Sequence, residues 1–268
     1  SGVWIMAYTT IDKPSDYFTP HIWSGTNSNH TESIGMQPDF VWVKGRSVAT
    51  DHTLFDAVRG FAVGKSLNSN TTAAEDGSNT TAFGGISGVT SDGFTVTAGS
   101  SNADYVNTSG RTYASWNWKE TATAGFDIVS YSGNNSTNRQ ISHSLSAKPD
   151  MMLVKCRQAG LWKIYHSSLG ATKYLVLSDT AGVVDNNSTW NDTEPTSSNF
   201  TLGDDGNVNE TGETYINYLF AEKKGYSKFS SYIGNGAASD GTFSYTGFKP
   251  AFIILKSTGV NDWRIIDN

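Results

Sequence analysis

The chain has 268 residues, only 16% of them charged, with a formal net charge of −6. Its Lys and Arg are scattered apart from "EKKGYSK" around Lys223, which argues against the clustered basic face that nucleic acid requires. Aromatics at 12% exclude a disordered chain. No apolar run is long enough for a membrane-crossing helix, so no membrane insertion is expected.

In chain order, the first strong strand signal is "QPDFVWVK" at 37–44, in which Phe40, Val41, Trp42 and Val43 are apolar in succession. A strand apolar on both faces is covered on both sides and belongs in the middle of a sandwich. Pro38 stands at its start, where a missing N–H is tolerated, and Lys44 is expected to close it at the solvent edge. "DHTLFDAVRGF" from Asp51 reads as a strand followed by a turn. "GSNTTAFGGISGVTS", between Asp56 and Asn107, reads as an enlarged loop. In "TYASWNWK", Ala114, Trp116 and Trp118 share one face while Ser115 and Asn117 share the other, the period of two of a half-buried antiparallel strand.

These signals then recur. "YSGN" at 131–134 and "YIGN" at 232–235 match the weaker "WSGT" at 23–26, and "KPDMMLVK" and "KPAFIILK" follow at 148–155 and 249–256. "WKIYH" and "WRIID" occupy the place of "TLFD". "SSNFTL" at 197–202 matches "SDGFTV" at 91–96, and "NETGETYINYLFAE" at 209–222 matches "NTSGRTYASWNWKE" at 107–120. Equivalent prolines are spaced by 111 and then 101 residues. That period is too long for a short-repeat solenoid and favours beads of similar small domains. No window carries a sustained helical stripe. The expected fold is therefore all-β: tandem antiparallel β-sandwich, jelly-roll-like, repeat domains. Residues 1–120 form a first unit with an N-terminal extension, 121–224 a second, and 225–268 an incomplete third.

The search for chemistry yields no catalytic residues. The five histidines form no HExxH pair, and neither a G-x-S-x-G elbow nor a Walker loop occurs. The lone Cys156 excludes an internal disulfide framework and reads as a buried small side chain. Asp56, His166 and Asp267 end the second strand of each unit, and two readings stand. Either they line a common groove for sugar hydroxyls, or each caps its own turn. "LGDDGNVNETGE" at 202–213 is the densest oxygen-ligand stretch. Asp204 and Asp205 are its weak metal candidates, but the spacing is not that of an EF-hand and a solvated turn is the simpler reading. Trp162 and Trp263 occupy equivalent positions and read as core. Trp190, in the polar "NNSTWNDTEP", is the candidate surface contact for a glycan, against the alternative of a buried loop anchor. No cofactor is expected. The Asn-x-Ser/Thr triplets at Asn70, Asn107 and Asn191 are what chance places in so Asn- and Thr-rich a chain.

"PSDYF" from Pro14, "HTLFDAVRG", "SLGATKYLVLS" and the long stretch "GYSKFSSYIGNGAASDGTFSYTGFKPAFIILK" at 225–256 resemble a family of tandem-repeat, virion-associated proteins of tailed bacteriophages, particularly those of marine bacteria. The resemblance implies a β-rich, non-enzymatic particle component with no defined catalytic residues, located in the virion. It implies tail-fibre placement or another surface-exposed position contributing to host attachment. The partners it implies are other virion proteins, further copies of the chain as a homo-oligomer, and a host surface glycan. The alternatives are a capsid-decorating or tail-lattice subunit without a receptor role, or a glycan-binding adhesin. Family members continue beyond the "WRIID" segment, so the stop at Asn268 implies a truncated or partly ordered subunit. A sheet left unfinished there would invite strand donation by a neighbouring chain.

Overall fold

The computed structural model describes residues 8–77, 79–101 and 105–268. After a single 3-10 turn at Pro14–Asp16, the first unit runs β1 (Phe18–Ser24), β2 (His30–Ser33), β3 (Phe40–Gly45), β4 (Thr53–Asp56) and β5 (Leu67–Asn68). It continues through a four-residue helix α1 (Thr80–Phe83), β6 (Gly85–Thr90), β7 (Gly93–Thr97) and β8 (Thr112–Trp118). The second unit comprises β9 (Phe126–Ser132), β10 (Arg139–Ser142), β11 (Met151–Cys156), β12 (Trp162–His166), β13 (Lys173–Val176) and β14 (Val184–Asp185). Helix α2 (Asn187–Trp190), β15 (Asn199–Leu202), helix α3 (Gly206–Asn209) and β16 (Thr214–Phe220) complete it. Residues 225–268 contribute a hairpin, β17 (Phe252–Leu255) and β18 (Arg264–Asp267).

Each of the first two units is an antiparallel sandwich of a large and a small sheet. The large sheets run β1-β8-β3-β4-β5 and β14-β13-β12-β11-β16-β9; the small ones are β2-β7-β6 and β10-β15. The fold is thus all-β, with sandwich units in tandem. Between β4 and β7 the first unit departs from a simple loop, because "GISGVT" pairs with β7 as a third small-sheet strand. Alternation in Ile86 and Val89 is diluted there by glycine, which hides the strand in the sequence.

The apolar runs of β3 and β11 explain how the units meet. Val41 and Val43 point into the first unit's own core with Trp23, Phe55, Phe94 and Tyr113. Met152 and Val154 do the same in the second, with Tyr165, Phe200 and Tyr215. The alternate residues Phe40 and Trp42, with Met151 and Leu153, enter a single third core built by both large sheets face to face. The units are therefore not separate beads. Their strands are apolar on both faces because each sheet is the middle layer between its small sheet and its neighbour. For the same reason the second face of β8 is not wet: Ser115 and Asn117 are fully buried.

The hairpin of the third unit turns its equivalent face, Phe252, Ile254 and Ile265, onto this shared core. Phe252 packs between Phe18, Trp116 and Trp118 at centroid distances of 5.5, 5.7 and 5.5 Å. Trp263 Nε1 donates to the Val176 carbonyl at 2.8 Å.

The lysine closing the second motif strand does not reach solvent as the sequence reading expects, while Lys44 and Lys256 stay partly exposed at theirs. Lys155 is buried and donates to the carbonyls of Cys156 and Gln158. Lys44 donates to the Thr50 carbonyl, and Lys256 to those of Thr180, Ser257 and Gly259. Each ammonium ties down a loop through backbone oxygens. Burial lowers the Lys155 ammonium to about 8.

Candidate functional site

The residues singled out from sequence fall into separate surroundings. Asp56 ends β4 with 0% exposure. Its carboxylate accepts from Arg59 N at 2.8 Å, from Arg59 Nε at 2.5 Å, and from the Tyr218 hydroxyl of the second unit at 2.7 Å. Arg59, itself enclosed, reaches the Leu54 and Lys65 carbonyls and Glu75. Glu75 in turn takes a two-pronged bond from Arg157, at 2.7 and 3.0 Å, and one from Lys65 at 2.9 Å. Burial alone would raise the Glu75 carboxyl, but the bonds from Arg157 and Lys65 and the charge of Arg59 outweigh it and hold it at about 2. The cluster is an ionic tie between the two units, enclosed at Asp56 and Arg59 and partly exposed at Glu75, Lys65 and Arg157.

His166 is half-buried, its Nδ1 accepting from Ser168 N at 3.1 Å and its ring 6.4 Å from Phe229. Burial lowers its pKa. Asp267 is exposed and accepts from Trp116 Nε1 at 3.1 Å. No contact joins Asp56, His166 and Asp267. Asp56 and His166 each hold the turn that follows them, and Asp267 fastens the third-unit hairpin to the first sheet.

Trp190 is corrected from surface contact to core. It is only 1% exposed, packs edge-on against Tyr165, and donates Nε1 to the Lys173 carbonyl. The polar "NNST" before it forms helix α2, capped by Asn186, and that helix swings the indole inward. A ring so placed has no face for a sugar.

Asp205 accepts from Asn207 N as the N-cap of α3 and pairs with Lys163 Nζ at 3.0 Å, while Asp204 is exposed. Among the described residues no group of three or more His, Cys, Asp or Glu is placed to hold a metal ion. Cys156 is buried in β11, and burial raises its thiol pKa.

Most of the exposed large apolar side chains lie instead in the third unit. Among the described residues ten large hydrophobics are exposed, and six of them are Tyr232, Ile233, Phe243, Tyr245, Val260 and Ile266. Ile233 and Phe243 are 88% and 85% exposed. Ile253 and Ile266 face each other across the hairpin on the side where Val41 and Met152 meet their own small sheets. In the third unit no strand of the described residues covers that side. Sequence reasoning passed over these residues because a motif resembling a core strand implies a core around it. The incompleteness of residues 225–268, with counterparts of β9 to β12 but none of β13 to β16, is legible in the sequence; the exposure of these particular side chains is not.

The family model described as a domain of unknown function, DUF7483, matches residues 13–268, and the chain belongs to that family. No curated protein and no solved structure matches it.

Proposed function

We propose that this DUF7483 chain is a non-enzymatic structural subunit of a bacteriophage virion, in a tail fibre or another surface-exposed component that contributes to host attachment. The observation that carries the reading is that six of the ten exposed large hydrophobics among the described residues lie in the third unit, beside two units whose large sheets pack face to face into one core. A surface of that composition recognises protein, since its Tyr, Phe and Ile side chains supply buried area on association. The resemblance of residues 225–256 to virion-associated repeat proteins supplies the setting. Burial of Trp190 favours an assembling subunit over a glycan-binding adhesin.

The test is gold-labelled antibody against the chain on intact particles, viewed by electron microscopy. Gold at fibres or tail tip supports the proposal. Gold along the tail shaft or over the head shifts it to a lattice or decorating subunit with no receptor role. Particles without label refute it.

A further inference from the structure

The first two units fill one slot in the same way, and the third unit carries that slot open. In each complete unit the strand ending in an aromatic and a glycine is clasped to the segment that leads into the last strand. Trp23 stacks on Tyr113 at 5.5 Å and donates to the Val106 carbonyl at 2.9 Å. Tyr131 stacks on Tyr215 at 5.2 Å and donates to the Val208 carbonyl at 2.9 Å. Gly25 N and Gly133 N donate to the carbonyls of Arg111 and Glu213. A Cβ on Gly25 would lie 2.1 Å from the Thr108 oxygen, and one on Gly133 1.9 Å from that of Glu210, so the backbones approach in a way only glycine allows. The next residue, Thr26 or Asn134, donates its N–H to the side chain of Asn107 or Asn209.

Residues 232–250 align with 131–149 without a gap, and the receiving half of this clasp is present in full: Tyr232, Gly234 and Asn235. The loop already holds its bound shape. Ala237 N donates to Asn235 Oδ1 at 3.1 Å, as Ser136 N does to Asn134 Oδ1 at 3.1 Å. Gly236 has φ +71°, matching Asn135 at +53° and Asn27 at +58°. Yet Tyr232 is 55% exposed and a Cβ on Gly234 would meet nothing within 4 Å. Alongside, among the described residues β17 pairs with β18 alone, whereas β3 lies between β8 and β4 and β11 between β16 and β12. The free edge continues the shared core, with Phe252 and Ile254 placed as Met151 and Leu153 are.

We propose that Tyr232–Asn235 and the open edge of β17 receive an extended polypeptide segment from outside residues 1–268, of the pattern Val-Asn-x-x-Gly-x-Thr-Tyr followed by alternating apolar and aromatic residues. It enters antiparallel to β17, its aromatics opposite Phe252 and Ile254 as Phe220 and Tyr218 lie opposite Met151 and Leu153. Its Tyr stacks on Tyr232, and its Asn side chain accepts from Asn235 N. Added-strand recognition of this kind takes affinity from backbone hydrogen bonds and selectivity from the side-chain pockets. The assignment stands whether or not the protein belongs to a virion.

A fluorescent peptide reproducing residues 206–222 tests it, titrated into the 268-residue chain by anisotropy, with the bound state mapped by amide hydrogen exchange. The expected result is saturable binding that protects the amides of residues 252–256 and 231–236. A scrambled peptide should not bind. Gly234→Ala should leave the melting temperature of the chain unchanged and weaken the peptide about tenfold or more, a loss of about 1.4 kcal/mol. Absence of saturable binding overturns the proposal. So does binding that Gly234→Ala leaves intact, or protection confined to the second unit, where the peptide would merely have displaced β16.

Discussion

Replacing Tyr218 with Phe removes one oxygen from the seam between the two complete units and little else. The ring keeps its packing, 4.4 Å from Phe40 and 6.2 Å from Trp162, so no cavity opens. What is lost is a hydrogen bond of 2.7 Å to a fully buried carboxylate, together with a longer one of 3.4 Å accepted from Arg59 Nη2. Bonds to charged groups contribute about 1.5–3 kcal/mol, and the lower end applies because Asp56 keeps both bonds from Arg59. Urea unfolding followed by tryptophan fluorescence and by circular dichroism measures the loss. Because both large sheets build one core, the two probes should report one coincident transition for the first two units, shifted as a whole by the substitution. Asp56→Ala should be more severe, about 3–5 kcal/mol, because it strands the buried Arg59 guanidinium. Two separated transitions, with Tyr218→Phe moving only the second, would refute the shared core as the basis of stability. A loss under about 0.5 kcal/mol would place the hydroxyl's bond below the range for charged acceptors.

Trp190→Ala should cost about 3–5 kcal/mol by emptying a core site, readable as a fall in unfolding midpoint; unchanged stability would return the indole to the surface. Gly133→Ala should destabilise the chain, since its Cβ would meet the Glu210 carbonyl, whereas Gly234→Ala should be silent in thermal unfolding. Glu75 is held at about 2 against an ordinary 4.5. Its contribution is present above the unfolded pKa and is lost as pH falls from about 4.5 through 2; Glu75→Gln should flatten that part of the acid-stability curve. Glu120 has the opposite sign. Burial and its hydrogen bond with Asp127 raise its carboxyl to about 7, and the two share one donor, Ile128 N. Ionising it in the folded state is unfavourable, so stability falls as pH rises from about 4.5 through 7. Glu120→Gln should abolish the fall, and a pH profile identical to wild type would show that the pair does not share a proton.

The alternation in "TYASWNWK" and "TYINYLF", the prolines before "DFVWVK" and its cousins, and the three-fold recurrence determined strands and their recurrence along the chain. These are local properties of a period-two pattern, and they survive translation into structure because side chains of a strand have only two faces. Which faces meet was decided by tertiary structure. An apolar run on both sides of β3 states that both are covered, not by what, and the second cover proved to be the neighbouring unit's sheet. Polarity of flanking residues misled at Trp190, because a four-residue helix capped by Asn186 carries the indole out of its polar stretch and into the core. The same limit holds for "VWVK", "LVKC" and "ILKS", whose ammonium groups find carbonyl partners only once the following loop folds over them. Glycine in the aromatic-x-Gly motif is visible in sequence, but its reason is a carbonyl some 80 residues away in the chain. Repetition wrote the motif three times and left the third unit incomplete in the sequence itself; the packed structure showed how the two complete copies are clasped.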